Sequence, residues 1–372
     1  MSAVFQKTTV VQHVRNWLRG YDAALAVAMF LVLCIGMVAV YSAGFDFPGR
    51  FDHHMRNIMV AFFAMLIMAQ VPPQRLMQLA VPLYVLGVTL LIAVALFGIT
   101  KKGSRRWINV GMIIQPSEIM KIAMPLMLAW WFQRRESAIG ALDFCVAGAI
   151  LLVPTLLIAR QPDLGTAILV FTAGAFIIFF AGLSWKIIIG AAVAFACYTP
   201  VWWSFFSRDY QRERVMTFLD PTNDPLGKGF HIIQSTIAIG SGGVFGKGLK
   251  QGTQAHGEFI PERTTDFIFA VYAEEFGLIG GLVLLAVLLF LIYRSLAIAN
   301  SAPTLFGRLI AAAMAMIFFT YAFVNMGMVS GILPVVGVPL PFVSYGGTAM
   351  MTLGLAIGIL MSVARQRRLV RD

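Results

Sequence analysis

The sequence predicts an all-α fold, a polytopic membrane protein with ten transmembrane helices and one large extracytoplasmic loop. Composition and pattern carry that expectation together. Of 372 residues, 59% are hydrophobic and 12% charged, whereas a soluble domain has roughly 45–50% apolar and 25% charged residues. Ten stretches stay apolar for close to the ~20 residues that cross a hydrocarbon core. They are 22–43, 53–70, 76–99, 115–133, 140–160, 164–182, 184–203, 266–293, 305–330 and 343–364. Only 204–265 is both long and polar. No repeat of fixed period and no Pro- or Ser-rich linker divides the chain, so 1–372 reads as a single membrane domain.

An even number of spans puts both termini on one side of the membrane. Lys7, Arg15 and Arg19 precede a first apolar stretch that is too long for the core of a signal peptide, so a retained span is expected. With the ends inside, the inner tails and loops carry 13 Lys and Arg and the short outer loops 7. That asymmetry orients both termini to the cytoplasm, and the long loop, which translocates largely regardless of charge, to the outside. KKGSRRW at 101–107 runs against the bias with four outer cations, as a ligand phosphate would require. The net charge of +11 suits anionic membrane lipid or a phosphorylated ligand; no nucleic-acid partner is expected. Cys34, Cys145 and Cys197 are odd in number and lie in apolar runs, which argues against a disulfide framework.

Charges inside spans cost at least a few kcal/mol at the bilayer centre and face a partner or a cavity. Glu118 and Lys121, three apart in the fourth span, share a helix face; they form either a structural ion pair or the wall of a polar cavity. Arg160 and Asp163 bracket the outer turn between the fifth and sixth spans. In the large loop, RDYQRERVMTFL and GFHIIQSTIAI have helical composition on either side of the turn-forming DPTNDPLG. GSGGVFGKG fails as a nucleotide loop, because Ser241 stands where glycine is needed and Gly248 where Ser or Thr is needed. It is a flexible connector or a substrate-ordering loop whose Lys247 meets an anionic group. The five histidines lack zinc spacing, and no Ser, His and Asp set forms a hydrolase triad. The polar loop ends at Asp266, at the head of the eighth span and so at a boundary between water and membrane. A pitch of 3.6 residues puts Asp266, Ala270, Ala273, Gly277 and Gly280 on one stripe, which is a helix contact or a groove for a lipid-linked chain.

Six motifs then carry a resemblance: QPSEIMK at 115–121, QPDLGT at 161–166, DYQRERV at 209–215, LDPTNDPLGKGFHIIQSTIAIGSGGVFGKG at 219–248, FIPERTTDFIFAVYAEEFGLIG at 259–280 and GILPVVGVPLPFVSYGG at 331–347. Together they resemble the SEDS family of bacterial cell-wall polymerases, from first span to last, and its rod-shape branch more closely than its division branch. The resemblance implies a ten-helix peptidoglycan glycosyltransferase of the cytoplasmic membrane. Such an enzyme polymerises lipid II onto a nascent glycan strand on the outer face. It works with a class B penicillin-binding protein, which crosslinks the strands, and with other membrane proteins of the elongation complex. It also implies that Asp266, in the motif TTDFIF, is the residue tied to catalysis.

The residues fit that chemistry on independent grounds. Joining a sugar on a lipid pyrophosphate to an acceptor hydroxyl needs a base for the hydroxyl proton and positive charge for the departing pyrophosphate. Asp266 can supply the base. Lys101, Lys102, Arg105, Arg106, Arg212, Lys247 and Arg263 are candidate clamps; Glu118, Lys121, Arg160, Asp163, Glu262 and Ser344 complete the candidate substrate-binding set. A divalent cation, magnesium or manganese, can share the charge through Glu262 or Asp266. Two other readings use the same helices, a flippase for a lipid-linked intermediate and a non-enzymatic scaffold of the wall-building complex. A flippase does not need the large loop leading to Asp266, and a scaffold gives no reason for Asp266 at a polar mouth.

Overall fold

The computed structural model describes residues 21–371 apart from 102–103, 110–112, 206, 208–211, 213–214, 218, 221–227, 258 and 261. The chain is mostly helical. In order, the elements are α1 (Ala23–Ala43), α2 (Arg50–Gln70), α3 (Pro73–Phe97), β1 (Ile99–Lys101), β2 (Ser104–Asn109), β3 (Ile113–Ile114), α4 (Pro116–Gln133), α5 (Ala141–Arg160), α6 (Leu164–Phe180), α7 (Trp185–Phe205), α8 (Lys228–Gly242), α9 (Thr253–His256), α10 (Ile268–Asn300), α11 (Leu305–Val329) and α12 (Gly347–Arg371). The sheet, antiparallel in the order β1-β2-β3, is a departure from the all-helical expectation. Its strands are short and carry Ile99, Thr100, Trp107, Ile108, Ile113 and Ile114, β-branched and aromatic residues that favour pleated pairing.

By length and apolarity, α1, α3, α5, α7, α10, α11 and the Gly347–Gln366 part of α12 can cross a membrane, seven helices among the described residues. Helices also occupy the other three expected positions. α6 is apolar but has 17 residues, and α2 and α4 carry ionisable side chains, including Asp52, His53 and His54 on the first and Glu118 and Lys121 on the second. On α4 the two charges pair with each other, while on α2 Asp52 and His53 are exposed in the first turn and only His54 is buried; α2 packs along α12, and α4 against α3, α6 and α11. α11 and α12 form the interior, whereas α7 is exposed along nearly its whole length. The helix starts follow local rules. Pro73 and Pro116 occupy first turns, where the missing N–H costs nothing. Asp22, Asp163 and Thr304 cap α1, α6 and α11 through their side-chain oxygens.

The glycine-rich run is not a flexible connector, because its backbone is bound to α10. α10 is broken at Gly277, whose backbone (φ 65°, ψ −162°) is open only to glycine. The break strands the carbonyls of Glu274 and Glu275 and the N–H groups of Leu278 and Ile279, and the run satisfies all four. Lys247 N donates to Glu274 O at 3.0 Å and Gly248 N to Glu275 O at 2.9 Å, while Leu278 N donates to Gly243 O at 2.9 Å and Ile279 N to Val244 O at 3.2 Å. Backbones approach so closely that a Cβ on Gly246 would lie 2.1 Å from Glu275 O, and one on Gly277 2.3 Å from Gly246 N. The break also ends the stripe of small residues predicted for this span, since Gly277 interrupts the helical phase and Asp266 lies in a turn before the helix begins. We expect Gly277→Ala to destabilise the folded protein by at least about 2 kcal/mol from strain and clash. A thermal midpoint in detergent equal to that of the parent protein would contradict this account.

Candidate active site

Residues 262–267 form consecutive turns leading into α10, and their backbone is fastened by residues from distant parts of the chain. Within the turn, Thr265 N donates to Glu262 O at 3.0 Å, and the Thr265 hydroxyl reaches the Glu262 carboxylate at 3.1 Å. Glu262 has φ +52°, a left-handed conformation that costs a non-glycine residue free energy. Three successive carbonyls then accept from outside: Thr264 O from Tyr345 N at 2.8 Å, Thr265 O from the Ser344 hydroxyl at 2.6 Å, and Asp266 O from Asn325 Nδ2 at 2.8 Å. Asp266 itself is half-buried. Its Oδ2 faces Gly337, where a Cβ would stand 3.4 Å away. Phe267 stacks on His231 of α8, with ring centroids 5.8 Å apart. Burial lowers the pKa of that histidine, and the nearby Glu262 carboxylate opposes the shift.

The segment between α1 and α2 covers the same turn. Arg263 is 5% exposed, pairs with Asp46, donates to Ala43 O at 3.0 Å and lies over the rings of Phe45 and Phe47. Arg50 donates to the Thr264 hydroxyl at 3.0 Å and stacks over Phe47 and Tyr345. Arg263, a candidate clamp on sequence grounds, is therefore built into the wall that holds the turn. Ser344 is as well, because its hydroxyl also accepts from Leu340 N at 2.7 Å.

A second polar cluster lies on α4. Lys121, 4% exposed, donates at 2.7 Å to both Glu118 Oε1 and the Tyr321 hydroxyl, and Thr352 donates to Glu118 Oε2 at 3.0 Å. At the start of the same helix, Gln115 donates to Asp163 Oδ2 at 3.2 Å, and Arg106 lies 3.6 Å from Asp163 Oδ1 and donates to Pro162 O. Glu118, Lys121, Arg106 and Asp163 are thus brought into one region.

The remaining candidates lie elsewhere. Lys247 pairs at 2.7 Å with Glu274, whose fully buried carboxylate also accepts from Gln254 N and Ala255 N; the anionic group it meets in the structure is a protein carboxylate. Arg212 folds back to donate to Trp203 O at 2.7 Å and Ser204 O at 3.2 Å, closing the end of α7. Arg105 reaches Ala95 O on α3 at 3.3 Å, and Arg160 is exposed at the last residue of α5. Lys102 lies outside the described residues. Sequence reasoning missed Arg50, Tyr321, Asn325, Tyr345 and Thr352. A signal was present for two of them: Tyr321 and Asn325, four apart, are polar interruptions on one face of an otherwise apolar span.

The family profile FtsW/RodA/SpoVE, described as cell cycle protein, matches residues 22–369. The chain belongs to this family. It is 48% identical over 350 residues to the peptidoglycan glycosyltransferase MrdB of Escherichia coli strain K12, covering 94% of this chain and 95% of that one. It is 36% identical to the stage V sporulation protein E of Bacillus subtilis strain 168, over 93% of this chain and 98% of that one. Among solved structures, a chain of a peptidoglycan synthase complex that coordinates polymerisation and crosslinking superposes with a TM-score of 0.80 at 33% identity, over 93% of this chain and 98% of that one. The rod shape determining protein RodA of Thermus thermophilus gives 0.71 at 28% identity, over 95% and 99%. The resemblance read from six motifs is therefore a family membership that spans the whole fold.

Proposed function

We infer that this protein is a peptidoglycan glycosyltransferase of the membrane, polymerising lipid II into glycan strands with Asp266 as general base. The observation that carries the site is the fastened turn: three carbonyls held from three distant residues fix the backbone that presents a half-buried carboxylate at the head of a helix. In the reaction the carboxylate takes the proton from the acceptor sugar hydroxyl as its oxygen attacks the anomeric carbon of the donor. The bond to the lipid pyrophosphate breaks, and the pyrophosphate leaves with its electron pair, needing cations and no protein acid. Arg106, half-buried and the more accessible member of its pair with Asp163, is the clamp best placed near the polar α4 cluster.

Among the described residues no cluster of three or more His, Cys, Asp or Glu side chains could hold a metal alone. Glu262 and Asp266, from one turn, are the carboxylates that would hold a magnesium or manganese ion, both offering the oxygen donors such an ion takes. Such an ion would neutralise charge on the leaving group. The partner is a class B penicillin-binding protein that crosslinks the strands made here, alongside other proteins of the elongation complex. Purified protein given fluorescent lipid II separates the alternatives: polymer supports this function, movement of lipid II across the bilayer without polymer indicates a flippase, and neither indicates a scaffold.

The ten-span topology, with both termini in the cytoplasm and residues 204–265 outside, rests on the count of 13 basic residues against 7. Cysteines placed one at a time in a background lacking Cys34, Cys145 and Cys197 read it directly. A cysteine at Gln251 is expected to react with an impermeant thiol reagent in intact spheroplasts, and one at Gln366 to be protected. The reverse pattern would overturn the topology.

A further inference from the structure

We propose that Asn325 is a positioning residue for glycosyl transfer, tying the peptide of Asp266 to the wall that the carboxylate faces. Asn325 is fully buried on α11. Its Nδ2 donates to Asp266 O at 2.8 Å and to Val338 O at 2.7 Å. Both partners are carbonyl oxygens, so only the NH2 of the amide can point at them, and the orientation of the side chain is fixed by chemistry. Of the three outside donors to the carbonyls of the turn, Asn325 is the one that binds the carbonyl of Asp266; Ser344 and Tyr345 bind those of the two residues before it.

The second carbonyl gives the tie its meaning. Val338 follows Gly337, whose Cα side is the surface facing Asp266 Oδ2. One NH2 group therefore sets the spacing between the residue that carries the carboxylate and the backbone opposite it, at the point where turn becomes helix. Proton transfer needs donor and acceptor within hydrogen-bond reach, and a displacement near 1 Å at such a site can cost on the order of a hundredfold in rate.

Packing alone does not account for an asparagine here. Asn325 Oδ1 is buried with no hydrogen-bond partner among the described residues, an arrangement that costs stability. An apolar side chain would fill the space without an orphan acceptor, so what the amide contributes is its two donated bonds.

The inference rests on Asp266 as the base, and the test keeps the two apart. Asn325→Leu keeps the branched shape in a larger side chain and removes both donors; Asn325→Ser loses volume and keeps one hydroxyl donor, which cannot bridge both carbonyls as the NH2 group does. With purified protein and lipid II, Asn325→Leu is expected to lower kcat at least tenfold with KM within threefold of the parent, and Asn325→Ser to lower kcat less. A role in packing alone predicts instead that kcat follows the thermal midpoint in both variants. A normal kcat for Asn325→Leu, or a greater loss for Asn325→Ser, would overturn the proposal. Should Asn325→Leu fail to fold, Asn325→Ser decides: at least a threefold lower kcat at unchanged KM and thermal midpoint supports the tie, and a normal kcat rejects it. Asp266→Asn measured alongside reports on the base separately, since polymer synthesis by that variant removes the base whatever the Asn325 variants do.

Discussion

Asp266→Asn is expected to purify normally, to keep the proposed penicillin-binding partner on co-purification, and to lose at least about a hundredfold in polymerisation rate, the low end for a lost general base. The fold is spared because the turn is fastened through its backbone: Asn325 binds the carbonyl of residue 266, and Ser344 and Tyr345 bind the two before it. None of those bonds is removed by the change of side chain. Asparagine keeps the size and can still hydrogen-bond an acceptor hydroxyl, but it cannot take the proton. Polymer synthesis near the parent rate by a folded Asp266→Asn protein would refute the assignment. Loss of activity together with loss of folded protein would instead place the carboxylate among the groups that hold the turn.

The helices were legible in the sequence because apolar stretches of the required length announce themselves one by one. The break in α10 was not. Gly277 looked like a small residue on a packing stripe, and only its backbone angles, together with the four hydrogen bonds from 243–248, show that the glycine-rich run and the helix are one unit. The same holds for cations. Lys247, Arg263 and Arg212 carry charge that sequence alone assigns to a ligand, yet their partners are Glu274, Asp46 and the end of α7. The Lys247 and Arg263 pairings link segments tens to hundreds of residues apart, which no local pattern encodes, and Arg212 turns back on a helix end only nine residues away. Asp266 was legible for a different reason: a carboxylate where a polar segment meets an apolar helix is conspicuous in one dimension. What fastens its turn comes from α11 and 344–345, and these contacts exist only once the chain is folded.

Glu118 and Lys121 were paired from their spacing, and the structure supplies the environment that makes the pair costly to break. Lys121 lies in the interior with two bonds of 2.7 Å, to Glu118 and to Tyr321. Removing one partner of a buried pair costs about 3–5 kcal/mol, because the remaining charge stays in low dielectric, whereas removing both is milder. The two single changes should also differ from each other. Glu118→Ala leaves the lysine with only the neutral Tyr321 hydroxyl. Lys121→Ala leaves a carboxylate that is less deeply buried, at 15% exposure, that keeps its bond from Thr352, and that sits in the first turn of α4, where the helix dipole favours negative charge. Thermal midpoints in detergent are therefore expected to fall most for Glu118→Ala, less for Lys121→Ala, and for the double change by less than the sum of the two. Additive losses would mean that the pair contributes no coupling in the folded state. Parent-like midpoints accompanied by lost polymerisation would instead move both residues from the framework into contact with substrate, since a charge that stabilises nothing in the protein is left with the pyrophosphate or its sugar to stabilise.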